Sequence, residues 1–375
     1  MILVNISNQI GAGPKNISLN FIRAAGASGM AKEFLFLATD DPAIKDMLRQ
    51  AGVRHKIVPI FKHKLLKPAR FFYIQILLIL VTLTNRCEKA LAFGNFFLVG
   101  RAGRKGVLLH HPYIVDDVLL ARLPTVPRFL EHVKRALFRW TLTRVDVVIV
   151  QSDYMKDMFQ AKYPQYRRKL VVISNPVSDN FKKLPTYTAL DRTAAFAEKT
   201  SYALIYASRF YPHKNHAFLL GLARAFKARK TPIEIVVTLD PQTPGAADFL
   251  AAAEKENLLI RNLGEVSQPE LAVAYRQADA AIFPSRAETF GNPLIEALQF
   301  ALPVIVPRKD YALSVLGAAG LYFEEDNAEA CVKVSLDLLE DKKAYAVACT
   351  TSEARGRIFP DSRTWFQLMI GALDA

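Results

Sequence analysis

The chain has 375 residues, 51% of them apolar, which is more than one core ordinarily takes and leaves no stretch biased enough to read as disordered. Its net charge of +14 is uneven: residues 1–187 hold 29 Lys+Arg against 12 Asp+Glu, or +17, and the remainder holds 20 against 23, or −3. The first half is therefore suited to an anionic partner such as a membrane surface or a lipid-phosphate-linked acceptor; without zinc spacing, an aromatic ribonucleoprotein motif or a basic recognition helix, no nucleic-acid partner is expected.

The first predicted strand, 2–6, begins directly at Met1 with no basic leader, and the three cysteines Cys87, Cys331 and Cys349 lie far apart, so a reducing, cytoplasmic setting is expected. The strand ends at Gly11-Ala-Gly-Pro14 before a helix over 15–27. Gly11 and Gly13 lack the third glycine of a dinucleotide fingerprint, so no NAD is expected there, and on turn chemistry alone an ordinary tight turn is an equal reading of the segment. Strands follow at 33–38 and 54–58. Next, a basic run of Lys62, Lys64, Lys67 and Arg70 precedes apolar residues 71–84, too short to span a bilayer and readable either as a core helix or as one lying peripherally on the inner face of the plasma membrane.

Strands at 89–93, 106–110, 145–150 and 170–173 complete a first doubly wound domain, 1–185. The strand at 106–110 closes on His110-His111-Pro112, and since neighbouring strand residues point to opposite sides, one of the two histidines faces the ligand side; Pro112 favours His110 and leaves His111 open. Residues 180–200 lack apolar periodicity and read as a linker with a short helix. Strands at 202–207, 233–238, 258–263, 280–283, 303–306 and 321–323, alternating with helical stretches, make a second domain over 186–359. A last amphipathic helix lies within 360–375. The adjacent pairs Asp40-Asp41 and Asp116-Asp117 read as caps rather than as an Asp-x-Asp metal site, so no metal is expected.

Chemistry concentrates in the second domain. The strand at 280–283 runs into Pro284-Ser285, then Glu288, Phe290, Gly291, Asn292, Pro293, Leu294 and Glu296, which sets two carboxylates around a helix start. Asn292 is suited to cap that helix and Pro293 to its first turn, leaving outward-facing amides that attract phosphate. Upstream, Arg209 and Lys214 stand on a Pro-containing loop after strand 202–207, spaced to converge on one anion.

Glu-x7-Glu within PS-x-x-E-x-F-G-x-P-L-I-E-A-L closely resembles the nucleotide-sugar site of retaining GT-B glycosyltransferases of the family 4 group. The resemblance implies two doubly wound Rossmann-like α/β domains facing each other across a cleft, with the last helix returning to the first domain. It implies that Arg209 and Lys214 hold the donor diphosphate, that Glu296 takes the ribose hydroxyls and Glu288 the transferred sugar, and that Phe290, Gly291, Asn292 and Leu294 act through backbone amides. Gly264 and Val266 fall where the family holds the nucleobase, Gly11 and Gly13 where its glycine loop lies by the phosphate, and His110 or His111 where a histidine meets sugar or acceptor. The implied reaction needs no cofactor besides a UDP, GDP or ADP sugar as co-substrate. Its acceptor would be a lipid-linked or cell-surface glycan of the lipopolysaccharide, O-antigen or capsule kind. A sugar-nucleotide epimerase and a non-catalytic partner subunit share the architecture.

Overall fold

Short apolar runs closed by Gly, Pro or Asn and separated by helix-length segments have one economical solution, parallel strands buried on both faces by their crossover helices. The structure is a computed structural model describing residues 1–9, 12–59, 67–97, 100, 102–182 and 187–374. Its first seven strands are β1 (Ile2–Ile6), β2 (Phe34–Thr39), β3 (Arg54–Val58), β4 (Lys89–Ala92), β5 (Arg104–Leu108), β6 (Val147–Val150) and β7 (Leu170–Val172). They form one parallel sheet in the order β3-β2-β1-β4-β5-β6-β7. Six more are β8 (Tyr202–Tyr206), β9 (Ile233–Val237), β10 (Ile260–Asn262), β11 (Ala280–Ile282), β12 (Val304–Pro307) and β13 (Gly320–Phe323). These form a second parallel sheet, β10-β9-β8-β11-β12-β13. The chain divides into two compact units, Met1–Pro176 with Pro360–Ala375, and Val177–Phe359.

In the first unit, helices Ala12–Ala27, Pro42–Gln50 and Ser362–Gly371 cover one face of the sheet, and helices Lys67–Thr84, Thr125–Leu142 and Asp153–Lys162 cover the other. The C-terminal helix, capped by Asp361 accepting from the Thr364 amide at 2.7 Å, drives Trp365 fully into the core. There the indole meets Phe21 edge-on at 5.7 Å and Phe93 at 6.2 Å. Gly106 is what lets this helix lie so close, since a Cβ there would stand 2.6 Å from Leu373 Cδ2.

Much of the segment expected as a linker is folded onto the second unit. Phe181 packs edge-on against Phe300 at 5.6 Å, and helix Ala189–Phe196 starts at a capping box of Thr188 and Asp191. The buried Arg192 donates to the carbonyls of Phe300 and Tyr275, both at 2.9 Å. A guanidinium that satisfies buried carbonyls anchors a helix without apolar periodicity. Among the described residues, no helix is long and apolar enough to cross a membrane.

Trp365→Ala is expected to lower the unfolding free energy of the first unit by about 3–5 kcal/mol, the usual cost of an emptied aromatic site. Urea unfolding checks this, and a loss below about 1 kcal/mol would mean that the C-terminal helix is dispensable to that core.

Candidate active site

The second sheet reverses its winding between β8 and β11. Strands β9 and β10 lie to one side and β12 and β13 to the other. Parallel neighbours at such a switch point send their following loops apart and open a crevice at their carboxyl ends, where open α/β sheets take ligands. Both motif loops are there. The loop after β8 carries Arg209 to Asn215, and the loop after β11 carries Phe283 to Gly291.

Hydrogen bonds stitch these loops together. The Arg286 amide donates to His213 O at 2.8 Å, with Ser285 Oγ 3.2 Å from the same carbonyl, and Asn215 Nδ2 donates to Pro284 O at 3.3 Å. Asn215 is left-handed, φ 57°, a conformation asparagine tolerates better than most residues. Its amide also donates to Asp326 Oδ1 at 2.9 Å.

This stitching brings Lys214 Nζ onto Glu288 Oε1 as an ion pair whose side chains are only 14% and 12% exposed. Ser285 Oγ, fully buried, donates to the same carboxylate oxygen at 2.7 Å. The ammonium also stands 5.3 Å from the centre of the Phe283 ring, a cation–π contact. Arg209 pairs with a different carboxylate. Its guanidinium pairs with Glu265 Oε1 at 3.1 Å, with side chains 51% and 60% exposed.

That exposed pair links the loop after β10 to the loop after β8. Gly264 there is left-handed, φ 73°, and its amide donates to Asn262 Oδ1 at 3.1 Å. Asn262 also accepts from the Leu239 amide at 2.8 Å, fixing the loop; Val266, two residues past Gly264, is part-buried.

The helix after the β11 loop spans Asn292–Leu298, and its cap is Gly291 rather than Asn292. Gly291 takes φ 83°, which a side chain would strain, and a Cβ would stand 3.0 Å from Leu294 Cδ1. Asn292 is thereby pushed to the first helical position. Phe290 and Leu294 are buried, Phe290 edge-on to Phe359 at 5.9 Å, and the Leu294 amide is spent on Gly291 O at 2.9 Å.

Glu296, one turn in, is part-buried and accepts from Tyr275 Oη at 3.3 Å. Burial pushes its carboxyl up to about 7, against the opposing pull of the Tyr275 hydrogen bond and the Lys214 charge. Sequence reasoning missed Tyr275, which reads as ordinary core on a helix face. It missed the role of Ser285 too, although the Pro-Ser at the strand end marks the position.

In the first unit both histidines follow β5. His111 Nε2 bonds Glu131 Oε2 at 2.7 Å. Burial opposes the Glu131 charge, but the His111 and Lys134 contacts win and hold its carboxyl at about 2. The His110 amide donates to Asn95 Oδ1 at 2.9 Å, and burial, with the His111 charge, lowers its imidazole to about 4 and keeps it neutral. Gly13 lies inside the first turn of helix Ala12–Ala27, which starts earlier than expected because Pro14 is tolerated there. A Cβ on Gly13 would meet no protein atom within 4 Å. Gly11 lies outside the described residues.

The family model for glycosyl transferases group 1 matches residues 189–352, and that for glycosyltransferase family 4 matches residues 20–181. The D-inositol 3-phosphate glycosyltransferase of Arthrobacter sp. (strain FB24) is 28% identical over 128 residues, 33% of this chain and 30% of that protein. The O-antigen chain mannosyltransferase RfbU of Salmonella typhimurium is 28% identical over 249 residues, 64% of each chain. The match thus spans about a third of the first relative's length and just under two thirds of the second's. Anabaena Alr3699/HepE, solved in complex with UDP and glucose, superposes with a TM-score of 0.71 at 16% identity, covering 100% of this chain and 99% of that one, a likeness of fold. The chain belongs to the group 1, family 4 glycosyltransferases and has their GT-B architecture.

Because the Glu296 carboxyl titrates near 7 folded and near 4.5 unfolded, the folded state holds the extra proton between those values. The stability contributed by this group is therefore greatest below pH 4.5 and falls as pH rises to 7. Glu296→Gln removes this dependence. Measured by urea unfolding, the variant's advantage over wild type should grow across that window to at most about 3 kcal/mol at pH 8. A difference that stays flat with pH would mean an ordinary carboxyl.

Proposed function

We propose that this family member transfers a sugar from a nucleotide-diphosphate sugar to a lipid-linked or cell-surface glycan, retaining the anomeric configuration and using side-chain cations in place of a metal ion. The observation that carries the reading is the part-buried Lys214–Glu288 pair at the switch point. An ammonium has three donors, and one is spent on Glu288. The others are available to a donor diphosphate, while Glu288 is available to a sugar hydroxyl. Arg209, loosely held by an exposed partner, is the second cation for the diphosphate. Glu296, held near neutrality and carried on the next helix, suits the paired hydroxyls of a ribose, because a carboxyl that is protonated on approach both donates and accepts.

In the proposed step the bond from the anomeric carbon to the phosphate oxygen breaks, and the acceptor oxygen bonds the same face of that carbon. The acceptor's proton passes to the departing phosphate oxygen, so the products are the extended glycan and a nucleoside diphosphate. Lys214 and Arg209 stabilise the charge that develops on the leaving group, a preorganised electrostatic role. The motifs supply no protein nucleophile, which is why front-face departure rather than double displacement is proposed. His110 and His111 are assigned to the sugar or acceptor, and the basic first unit to the acceptor side at the inner face of the membrane. The UDP and glucose bound by HepE and the O-antigen mannosyl transfer named for RfbU set the first donors and acceptors to try.

With a productive donor and acceptor in hand, Lys214→Ala should lower kcat/KM by on the order of a hundredfold, about 3 kcal/mol of transition-state stabilisation. Proton NMR of the product should show the donor's anomeric configuration. Near-normal turnover in the variant, or an inverted product, would overturn the assignment. A new sugar isomer formed from donor alone would make the chain an epimerase.

A further inference from the structure

Among the described residues, seven that are not glycine have left-handed backbone. Arg86, Lys230, Asn257 and Ala301 come shortly after the ends of α-helices, where that conformation is in common use. Asn215 and Asp326, at φ 57° and 59°, close no α-helix. Each stands in a loop after a strand of the second sheet, β8 for the one and β13 for the other, and their side chains bond each other across 111 residues of chain. Asp326 is the third residue of a turn that the Asn327 amide closes on Glu324 O at 3.1 Å. Glycine takes a left-handed position without steric cost, and asparagine and aspartate take it at some cost. Two such side chains that meet are accounted for by what they hold, since the turns alone ask only for glycine.

The Asp326 carboxylate gathers both motif loops. Its Oδ1 accepts from Asn215 Nδ2 at 2.9 Å and from Arg286 Nη2 at 3.0 Å, and its Oδ2 lies 3.1 Å from the same Nη2. Asn215 directly follows Lys214, and Arg286 comes two residues before Glu288. The Asn215 side chain is buried and its other amide hydrogen goes to Pro284 O, so both of its donors are spent on holding loops together. The turn that carries Asp326 is itself tied down, because Lys309, after β12, bonds both oxygens of Glu325 at 2.9 and 2.8 Å. The Arg286 and Asp326 side chains are 44% and 49% exposed, and an ion pair so open to water adds little stability. Its effect is on geometry.

We propose that Asp326 is a positioning residue, a buttress that holds the loops after β8 and β11 from the β13 side and so sets Lys214 against Glu288. Its consequence for turnover rests on the proposed function, whereas its hold on Lys214 does not. Two variants of the whole chain test it. Asp326→Gly removes the bridge and relieves the left-handed turn, and Asp326→Asn keeps an oxygen for Asn215. Without any substrate, the ammonium signal of Lys214, assigned by its loss in Lys214→Ala, is followed by proton–nitrogen NMR. It should be sharp in wild type and Asp326→Asn, and shifted or broadened away in Asp326→Gly, while the urea midpoint of Asp326→Gly stays at the wild-type value. With a productive donor and acceptor, Asp326→Gly should lower kcat by about tenfold and change the donor KM less than about twofold, since misplacement is felt in the transition state more than in the ground state. Asp326→Asn should recover roughly half of the wild-type kcat or more. An ammonium signal unmoved in Asp326→Gly, or a turnover loss that tracks a lowered urea midpoint, would overturn the proposal. Normal turnover in Lys214→Ala would instead sink the functional reading, and the substrate-free spectrum would still decide whether Asp326 holds the pair.

Discussion

The lateral pairing of β8 with β11 is the constraint on which the second unit's chemistry depends. Because the chain winds away from β8 on one side and from β11 on the other, the loops after these strands meet at their bases and diverge beyond. Loops in that position must satisfy their own backbone, and here they use each other. The His213 carbonyl accepts from the Arg286 amide of the opposite loop, and the Pro284 carbonyl accepts from Asn215. Tyr206 and Tyr311 add bonds from beneath, donating to the carbonyls of Lys214 at 2.8 Å and Ser285 at 2.6 Å. Lys214 and Glu288 are therefore held by backbone that is already fixed, the condition for a preorganised site.

The charges around that crevice are graded by burial. Taking an ammonium and a carboxylate out of water costs several kcal/mol per ion, and an apolar pair of the same shape would often be as stable. The Lys214–Glu288 pair thus makes a poor case for stability and a better one for function, since a cation in a low dielectric acts more strongly on an incoming anion. Arg209 and Glu265 are the opposite case, two exposed ends whose mutual attraction is worth little and is cheaply given up. Glu296 completes the balance. With both glutamates ionised the group of Lys214, Glu288 and Glu296 would carry a net negative charge toward a diphosphate. Burial of Glu296 raises its carboxyl to about 7 and removes about half of that repulsion near neutral pH.

The strands were legible because a parallel strand covered on both faces needs an unbroken apolar run. FLFLAT at β2 and VVIV at β6 have no other reading in an α/β chain, and in the structure every residue of both is buried. Glu288 and Glu296 were legible through the strand, Pro-Ser and Phe-Gly around them. What stayed hidden was set by partners far along the chain. No spacing rule pairs Arg209 with Glu265, Tyr275 with Glu296 or His111 with Glu131, because each depends on which loops the sheet order places side by side. The helix cap went to Gly291 instead of Asn292 for a related reason, as the tight approach of Leu294 is a matter of packing. Arg192 shows the same limit, a charged residue inside a supposed linker whose partners are carbonyls more than 80 residues away.

The two units share one architecture, and that sharpens the contrast between their surfaces. Each has a parallel sheet whose crossover helices need an apolar inner side and place no demand on the outer one. Fold stability therefore cannot account for apolar outer faces on helices Lys67–Thr84 and Thr125–Leu142, nor for a +17 balance in residues 1–187 beside −3 in the rest. Exposed apolar stripes carry an aggregation liability that selection removes unless something covers them.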